Sequence, residues 1–124
     1  MHLTRVLPVV VVAIAAVLVE GRSSKARASA FPQVREIPAS RSNYTPRSSR
    51  AIRRIVLHTV EGSEAGCISW FQNPRSRVSA HYVVSNAGRI TRMVPDMSVA
   101  WHATVYNADS IGIENEGYAA RNNW

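Results

Sequence analysis

From Ile52 onward, apolar positions along the chain recur first with a period of two, then with helical spacing, then again with a period of two. Ile52 to His58, IRRIVLH, is β-branched and apolar enough to enter a core as a strand. Thr59-Val60-Glu61-Gly62 breaks it. Ser63 then stands where an N-cap belongs, and Glu64 in the first turn faces the positive end of the helix dipole. Cys67, Trp70 and Phe71 recur at helical spacing and are expected to form the buried stripe of a helix over 63–72, which Asn73-Pro74 ends. Ser79 to Val84 reads as a second strand and Arg89 to Val94 as a third. Between them, Asn86-Ala87-Gly88 fits a three-residue hairpin loop with Gly88 in the left-handed position. Asp96 to Asp109 shows no regular period, and Ser110 to Glu116 is a fourth strand. Strands and helix alternating in this way indicate an α/β fold.

The chain before Ile52 has a different texture. Met1–Arg5 is short and basic, and Val6–Val19 is an unbroken apolar run of 14 residues, well below the roughly 20 that a helix needs to cross a bilayer. Ala28-Ser29-Ala30 follows, with small side chains at the positions that signal peptidase reads. Residues 1–30 are therefore expected to be a cleaved signal peptide. An uncleaved membrane anchor is the alternative, kept open by the charged stretch Glu20–Arg27. Residues 31–51, FPQVREIPASRSNYTPRSSRA, are rich in Pro, Ser and Arg and read by composition alone as a linker or extended lead-in. The expected organisation is a signal peptide over 1–30, a basic lead-in over 31–51 and a folded part over 52–124, with no stable membrane span once the signal is removed.

Charge and cysteine content change this picture little. The net charge is +7, and after removal of 1–30 there remain 11 arginines against 7 acids, a net of +4. That balance permits nucleic-acid binding, but export argues against it and no recognition motif accompanies the charge. A basic surface suits an anionic cell wall at least as well, and a merely soluble basic surface is the bland alternative. Cys67 is the only cysteine, so no intramolecular disulfide is expected. In its apolar helical setting it reads as a small buried hydrophobe.

Candidate chemistry gathers at two strand ends. With a period of two, Arg54, Val56 and His58 share a face opposite Ile55 and Leu57. His58 thus ends the first strand beside a loop, a position that suits an exposed ligand, although a structural histidine reads the same way. In the fourth strand, Ile111 and Ile113 are expected to point into a core. Gly112, Glu114 and Glu116 point the other way, and two carboxylates on one face beside a glycine suit a general base near a substrate. A solvated strand face with paired acids is the alternative. His81, between Ala80 and Tyr82, reads as a hydrogen-bonded core histidine. Intervals of 23 and 21 residues separate His58, His81 and His102, and neither is a compact zinc-ligand spacing. Trp101-His102 stands in a loop, where it could line a glycan or peptide cleft or anchor the loop by packing.

Four segments, in order, resemble one family: the zinc-dependent N-acetylmuramoyl-L-alanine amidases related to peptidoglycan recognition proteins and phage lysozyme-type amidases. IVLHTVEGS (Ile55–Ser63) resembles the family's first-ligand strand and VSAHYVVSNAGRITRMVPD (Val78–Asp96) its central hairpin. AWHA (Ala100–Ala103) resembles its cleft loop and SIGIENEG (Ser110–Gly117) its catalytic strand. ISWFQNP (Ile68–Pro74) and IPASRSNYT (Ile37–Thr45) are similar to its actinobacterial-type branch, so the resemblance spans residues 37–124.

The resemblance implies an α/β domain with a mixed central β-sheet flanked by helices, and zinc at one edge of a peptidoglycan groove. It implies His58 as the first zinc ligand and Glu114 as the catalytic acid/base. Trp101 and His102 would lie along the substrate cleft, with His81 and His102 outside the ligand set. Zn2+ is the implied cofactor and peptidoglycan, or its muropeptides, the implied partner. The implied reaction is hydrolysis of the amide between N-acetylmuramic acid and L-alanine, in a secreted protein acting at the cell wall. A non-catalytic peptidoglycan-binding recognition module is the alternative. The family's second and third zinc ligands follow the SIGIE-type strand at positions beyond Trp124, so the resemblance also implies an incomplete domain that is inactive as it stands. Relatives often carry Gly after Trp-His-Ala, where this chain has Thr104.

Overall fold

The computed structural model describes residues 32–49 and 51–121; the expected signal segment, residues 1–30, lies outside them. Short strands dominate: β1 (Val34–Glu36), β2 (Tyr44–Pro46), β3 (Arg54–Thr59), β4 (Tyr82–Val84), β5 (Ile90–Arg92), β6 (Ser98–Ala100) and β7 (Ser110–Asn115). Five of them form one mixed sheet in the order β1-β5-β4-β7-β3, and β2 with β6 forms a separate antiparallel pair. Within the sheet, β7 is parallel to both β3 and β4, while β5 is antiparallel to β4 and parallel to β1. Helix α1 (Glu64–Gln72) follows β3 and packs on one face of the sheet. The architecture is α/β, as the alternation of periods indicated.

Local chemistry explains where the elements start and stop. Ser63 is extended and its Oγ accepts the Gly66 N–H at 3.1 Å, which caps α1. Asn73 closes the helix by donating its N–H to the Ser69 and Trp70 carbonyls, just before Pro74. Cys67 and Phe71, four residues apart, are buried on one stripe together with Glu64. Trp70 was expected in that stripe, yet it is 53% exposed. It sits part of a turn off the Cys67–Phe71 line, on the shoulder of the helix, and its ring borders a groove instead. The β4–β5 hairpin turns at Gly88, whose φ of 78° is the left-handed conformation expected there.

The sheet's inner and outer faces are reversed relative to the expectation for β7. Ile111 and Ile113 do not point into the core. They are half-buried and lie in register with Ile55 and Leu57, which are 65% and 66% exposed. The core lies on the opposite face, where Val83 is fully buried next to its register partner Glu114 and where Cys67 and Phe71 of α1 pack. Apolar alternation alone marks two faces without saying which one the helix covers, and here α1 takes the Glu114 side. Among the described residues, nothing covers the Ile55–Leu57 face.

The Pro-, Ser- and Arg-rich stretch before β3 contributes structure that its composition did not suggest. It supplies β1, a 3-10 turn over Arg41–Asn43, and β2. Asn43 is fully buried and ties this segment to the end of α1, donating from Nδ2 to the carbonyls of Phe71 at 2.8 Å and Asn73 at 2.9 Å. Its own carbonyl accepts the Ser79 hydroxyl at 2.7 Å. Likewise, the apparently irregular 96–109 stretch contains β6 and a 3-10 helix over Thr104–Asp109. Elements this short carry too few positions to show a period.

The uneven burial sets the expected mutational response. Met93 is almost fully buried in the core, so Met93→Ala should cost about 2–5 kcal/mol. Ile55→Thr combined with Leu57→Thr should change stability by no more than about 0.5 kcal/mol per site, while reducing self-association through the exposed apolar face. Urea midpoints and sedimentation velocity check both halves; equal losses from the core and face variants would contradict this assignment of the faces.

Candidate functional site

Parallel pairing of β3 with β7 brings His58 into register with Glu114. Both lie on the face that α1 covers. Gly112, two residues before Glu114, shares that face and leaves a gap in it. A Cβ at Gly112 would stand 2.5 Å from Cγ of His102, closer than side-chain carbons approach. The His102 ring therefore occupies the space that the missing side chain leaves open.

That placement gathers the three histidines that their spacing kept apart. The His102 ring centroid is 5.2 Å from that of His58 and 6.0 Å from that of His81, edge to face in both cases. Their roles differ. His81 is fully buried and satisfied at both nitrogens: Nδ1 accepts the Gly112 N–H at 3.0 Å and Nε2 donates to the Ser98 carbonyl at 3.1 Å. It is the hydrogen-bonded core histidine read from the sequence. His102 bridges outward, with Nδ1 3.0 Å from Nε2 of His58 and Nε2 3.2 Å from the Ser110 hydroxyl. Its backbone is held too, since Asn107 Oδ1 accepts the N–H groups of His102 at 3.1 Å and Ala103 at 2.7 Å. Thr104 follows with φ 46°, a left-handed conformation that Gly adopts freely and a β-branched residue does not.

An open groove of about 440 Å³ runs past this cluster, lined among others by Cys67, Trp70, Phe71, Trp101, His102 and Glu114. The Arg77 guanidinium lies over the Trp101 ring at 5.4 Å, a cation–π contact beside the groove. Three of the four residues singled out from the sequence thus stand together: Glu114, Trp101 and His102. His58 does not line the groove and meets it through His102.

Burial and hydrogen bonding separate the two carboxylates of β7. The Glu114 carboxylate has no hydrogen-bond partner among the described residues, and burial raises its pKa from the ordinary carboxylate value. Glu116 accepts the N–H groups of Glu64 and Asn86, each at 2.9 Å. Those two donors hold its pKa down. One carboxylate therefore closes the start of α1 and the β4–β5 hairpin, and the other faces the groove. Burial also lowers the pKa of His58. It lowers that of His102 to about 4, helped by the charges of His58, His81 and Arg47. Cys67 is pushed up to about 12, by burial first and then by Glu114, so its thiol stays protonated and is no nucleophile. Among the described residues, no three His, Cys, Asp or Glu side chains converge as a metal-binding group.

Several contributors were not read from the sequence. Ser110 and Asn107 orient His102, and Arg47 reaches in from the lead-in, donating to the Ser110 carbonyl at 2.9 Å. Gly112 was legible as cleared space, but not as the seat of His102, ten residues earlier in the chain.

Comparison with known proteins places these features in a family context. The model of the Amidase_2 family, N-acetylmuramoyl-L-alanine amidase, matches residues 48–124. N-acetylmuramoyl-L-alanine amidase A of Achromobacter lyticus is 51% identical over 89 residues, which cover 70% of this chain and 50% of that protein. The chain thus spans about half the length of the curated relative it matches. Among solved structures, the crystal structure of a selenomethionine AmpD derivative is similar with a TM-score of 0.59 at 26% identity, over 70% of this chain and 63% of that one. A mutant endolysin from Bacillus subtilis shares the fold with a TM-score of 0.57 at 22% identity, over 73% of this chain and 64% of that one.

The depressed pKa of His102 makes a signed prediction. Its folded value, about 4, lies below the ordinary 6.5, so between those values the unfolded chain binds the proton more readily. The stability from keeping this ring neutral is complete above pH 6.5 and is lost as pH falls toward 4. His102→Phe should flatten this part of the stability–pH profile, measured as urea midpoints across that range. An unchanged slope would mean that His102 is not a half-buried ring held neutral by the fold.

Proposed function

The chain belongs to the N-acetylmuramoyl-L-alanine amidase family, and on that premise we propose that it cuts the amide between the lactyl group of N-acetylmuramic acid and the L-alanine of the peptidoglycan stem peptide. The observation that carries this reading is Glu114, half-buried at the groove with a raised pKa and no side-chain hydrogen bond to compete. A carboxylate in that state is matched to proton transfer nearer neutrality than an exposed glutamate. Glu114 takes a proton from a water in the groove, and the water oxygen attacks the amide carbonyl carbon. As the C–N bond breaks, Glu114 returns the proton to the departing L-alanine nitrogen. Trp101 and His102 border the substrate, and the exposed ring of Trp70 and the Arg77–Trp101 stack offer aromatic surface to a sugar or peptide.

Zinc dependence is typical of the family, and His58 is the imidazole that this chain offers to the metal. The described side chains do not complete a metal-binding group, so the acid–base steps above are assigned to the chain's own residues alone. The reading goes with action outside the cell at the wall, through the apolar Val6–Val19 run and the Ala28-Ser29-Ala30 site, both outside the described residues. Among the described residues, no helix is long and apolar enough to cross a membrane.

A second reading is a peptidoglycan-recognition module that grips without cutting. The engagement of His58 with His102 and the lack of three converging donors favour it. Product analysis separates the two. In the protein that carries this sequence, incubation with purified peptidoglycan should release stem peptides with a free L-alanine amine, detected by mass spectrometry. Glu114→Gln should slow that release by about 10²–10⁴-fold and remove an acid limb that lies above the ordinary glutamate range. Retention on peptidoglycan with no new amine would select the recognition module, and near-full activity of Glu114→Gln would take Glu114 out of the mechanism.

A further inference from the structure

We propose that Ser110 and His102 are positioning residues that hold His58 in its Nε2–H tautomer, leaving Nδ1 as the one lone pair His58 can offer. The direction of each hydrogen bond is set by a carbonyl at the far end. Ser110 Oγ lies 2.6 Å from the Tyr106 carbonyl oxygen, and since a carbonyl only accepts, the single hydroxyl hydrogen points there. Toward Nε2 of His102, 3.2 Å away, the hydroxyl is left to accept. His102 therefore carries its hydrogen on Nε2, and its Nδ1 is bare. Nε2 of His58, 3.0 Å from that nitrogen, has to donate. A neutral imidazole has one N–H, so Nδ1 of His58 is unprotonated.

Each link in this series is fixed by packing. Ser110 is fully buried, which keeps water from competing for its hydroxyl, and Arg47 holds its backbone carbonyl. His102 fills the space above Gly112, where a Cβ would overlap it, and Asn107 secures the backbone on either side of its peptide link to Ala103. No described residue bonds to Nδ1 of His58, so the nitrogen left bare by the series is also the one free to act. That nitrogen is the atom with which His58 can take a proton or bind a cation.

The assignment deepens the amidase reading but is tested by ring protonation and not by turnover, so each can fail alone. Long-range proton–nitrogen correlation spectra of the full 124-residue chain, labelled with nitrogen-15 at histidine and held just above neutral pH, distinguish the two tautomers directly. The expected result is the Nε2–H pattern for both His58 and His102. His102→Phe keeps a ring over Gly112 but removes the acceptor, and His58 should lose its single-tautomer pattern. Ser110→Ala should loosen His102 in the same way. A hydrogen on Nδ1 of His58 in the unsubstituted protein, or a His58 tautomer indifferent to His102→Phe, would overturn the proposal. A protein inactive on peptidoglycan that still shows the expected tautomers would instead retire the amidase reading and leave this one standing.

Discussion

The candidate site depends on the parallel register of β3 against β7. Side chains alternate between faces at every residue, so one register decides at once that His58 sits beside Glu114 and Val56 beside Gly112. A slip of one residue would send His58 to the Ile55–Leu57 face and leave Glu114 without it. β3 is an edge strand and is paired on one side only, so its register is secured at the ends. At the start, the Arg53 N–H donates to the Asp109 carbonyl at 2.8 Å and Arg54 pairs with the Asp109 carboxylate at 2.9 Å. At the finish, the Val60 N–H reaches the Asn115 carbonyl at 2.8 Å, and Gly62 bridges to Gly117. With the ladder pinned at both ends, α1 leaves β3 in one direction only, over the Glu114 face, and the groove forms between the helix and the β6–β7 connection.

Much of the fold was legible because its signals are local. The Ser63 cap, the Asn73-Pro74 stop and the left-handed Gly88 each act within a few residues, and each stands where the sequence places it. Period-two alternation located β3 and β7 as well. What it could not supply was the sense of burial: Ile111 and Ile113 look like core residues until the position of α1 is known. The same limit explains the lead-in. β1 and β2 are strands because β5 and β6 are there to pair with them, and nothing in a Pro-, Ser- and Arg-rich composition announces a distant partner.

The candidate site was legible in part for a related reason. Glu114 could be singled out on the β7 face, and the family resemblance separated it from Glu116 before any contact was known. The physical ground for that separation lies in the fold. Glu116 is occupied by two backbone N–H groups from elements far away in sequence, while the Glu114 carboxylate is half-buried at the groove, where desolvation raises its pKa. The meeting of His58, His81 and His102 was invisible because it is made by three separate strand or loop ends converging on one glycine. Spacing rules describe ligands carried on one element, and these are not.

Thr104 adds a point about how the histidine pair is maintained. Its backbone sits in a left-handed conformation that its own side chain disfavours, so the bend after Trp101-His102 is imposed from outside. Asn107 imposes it, drawing in the amides of His102 and Ala103 with a single oxygen. The loop is thus a small lever under tension: its curvature belongs to a residue five positions on from His102, while the ring it aims belongs to the groove. In such a lever, the exposed Thr104 is a place where sequence drift changes the tension without moving the aim.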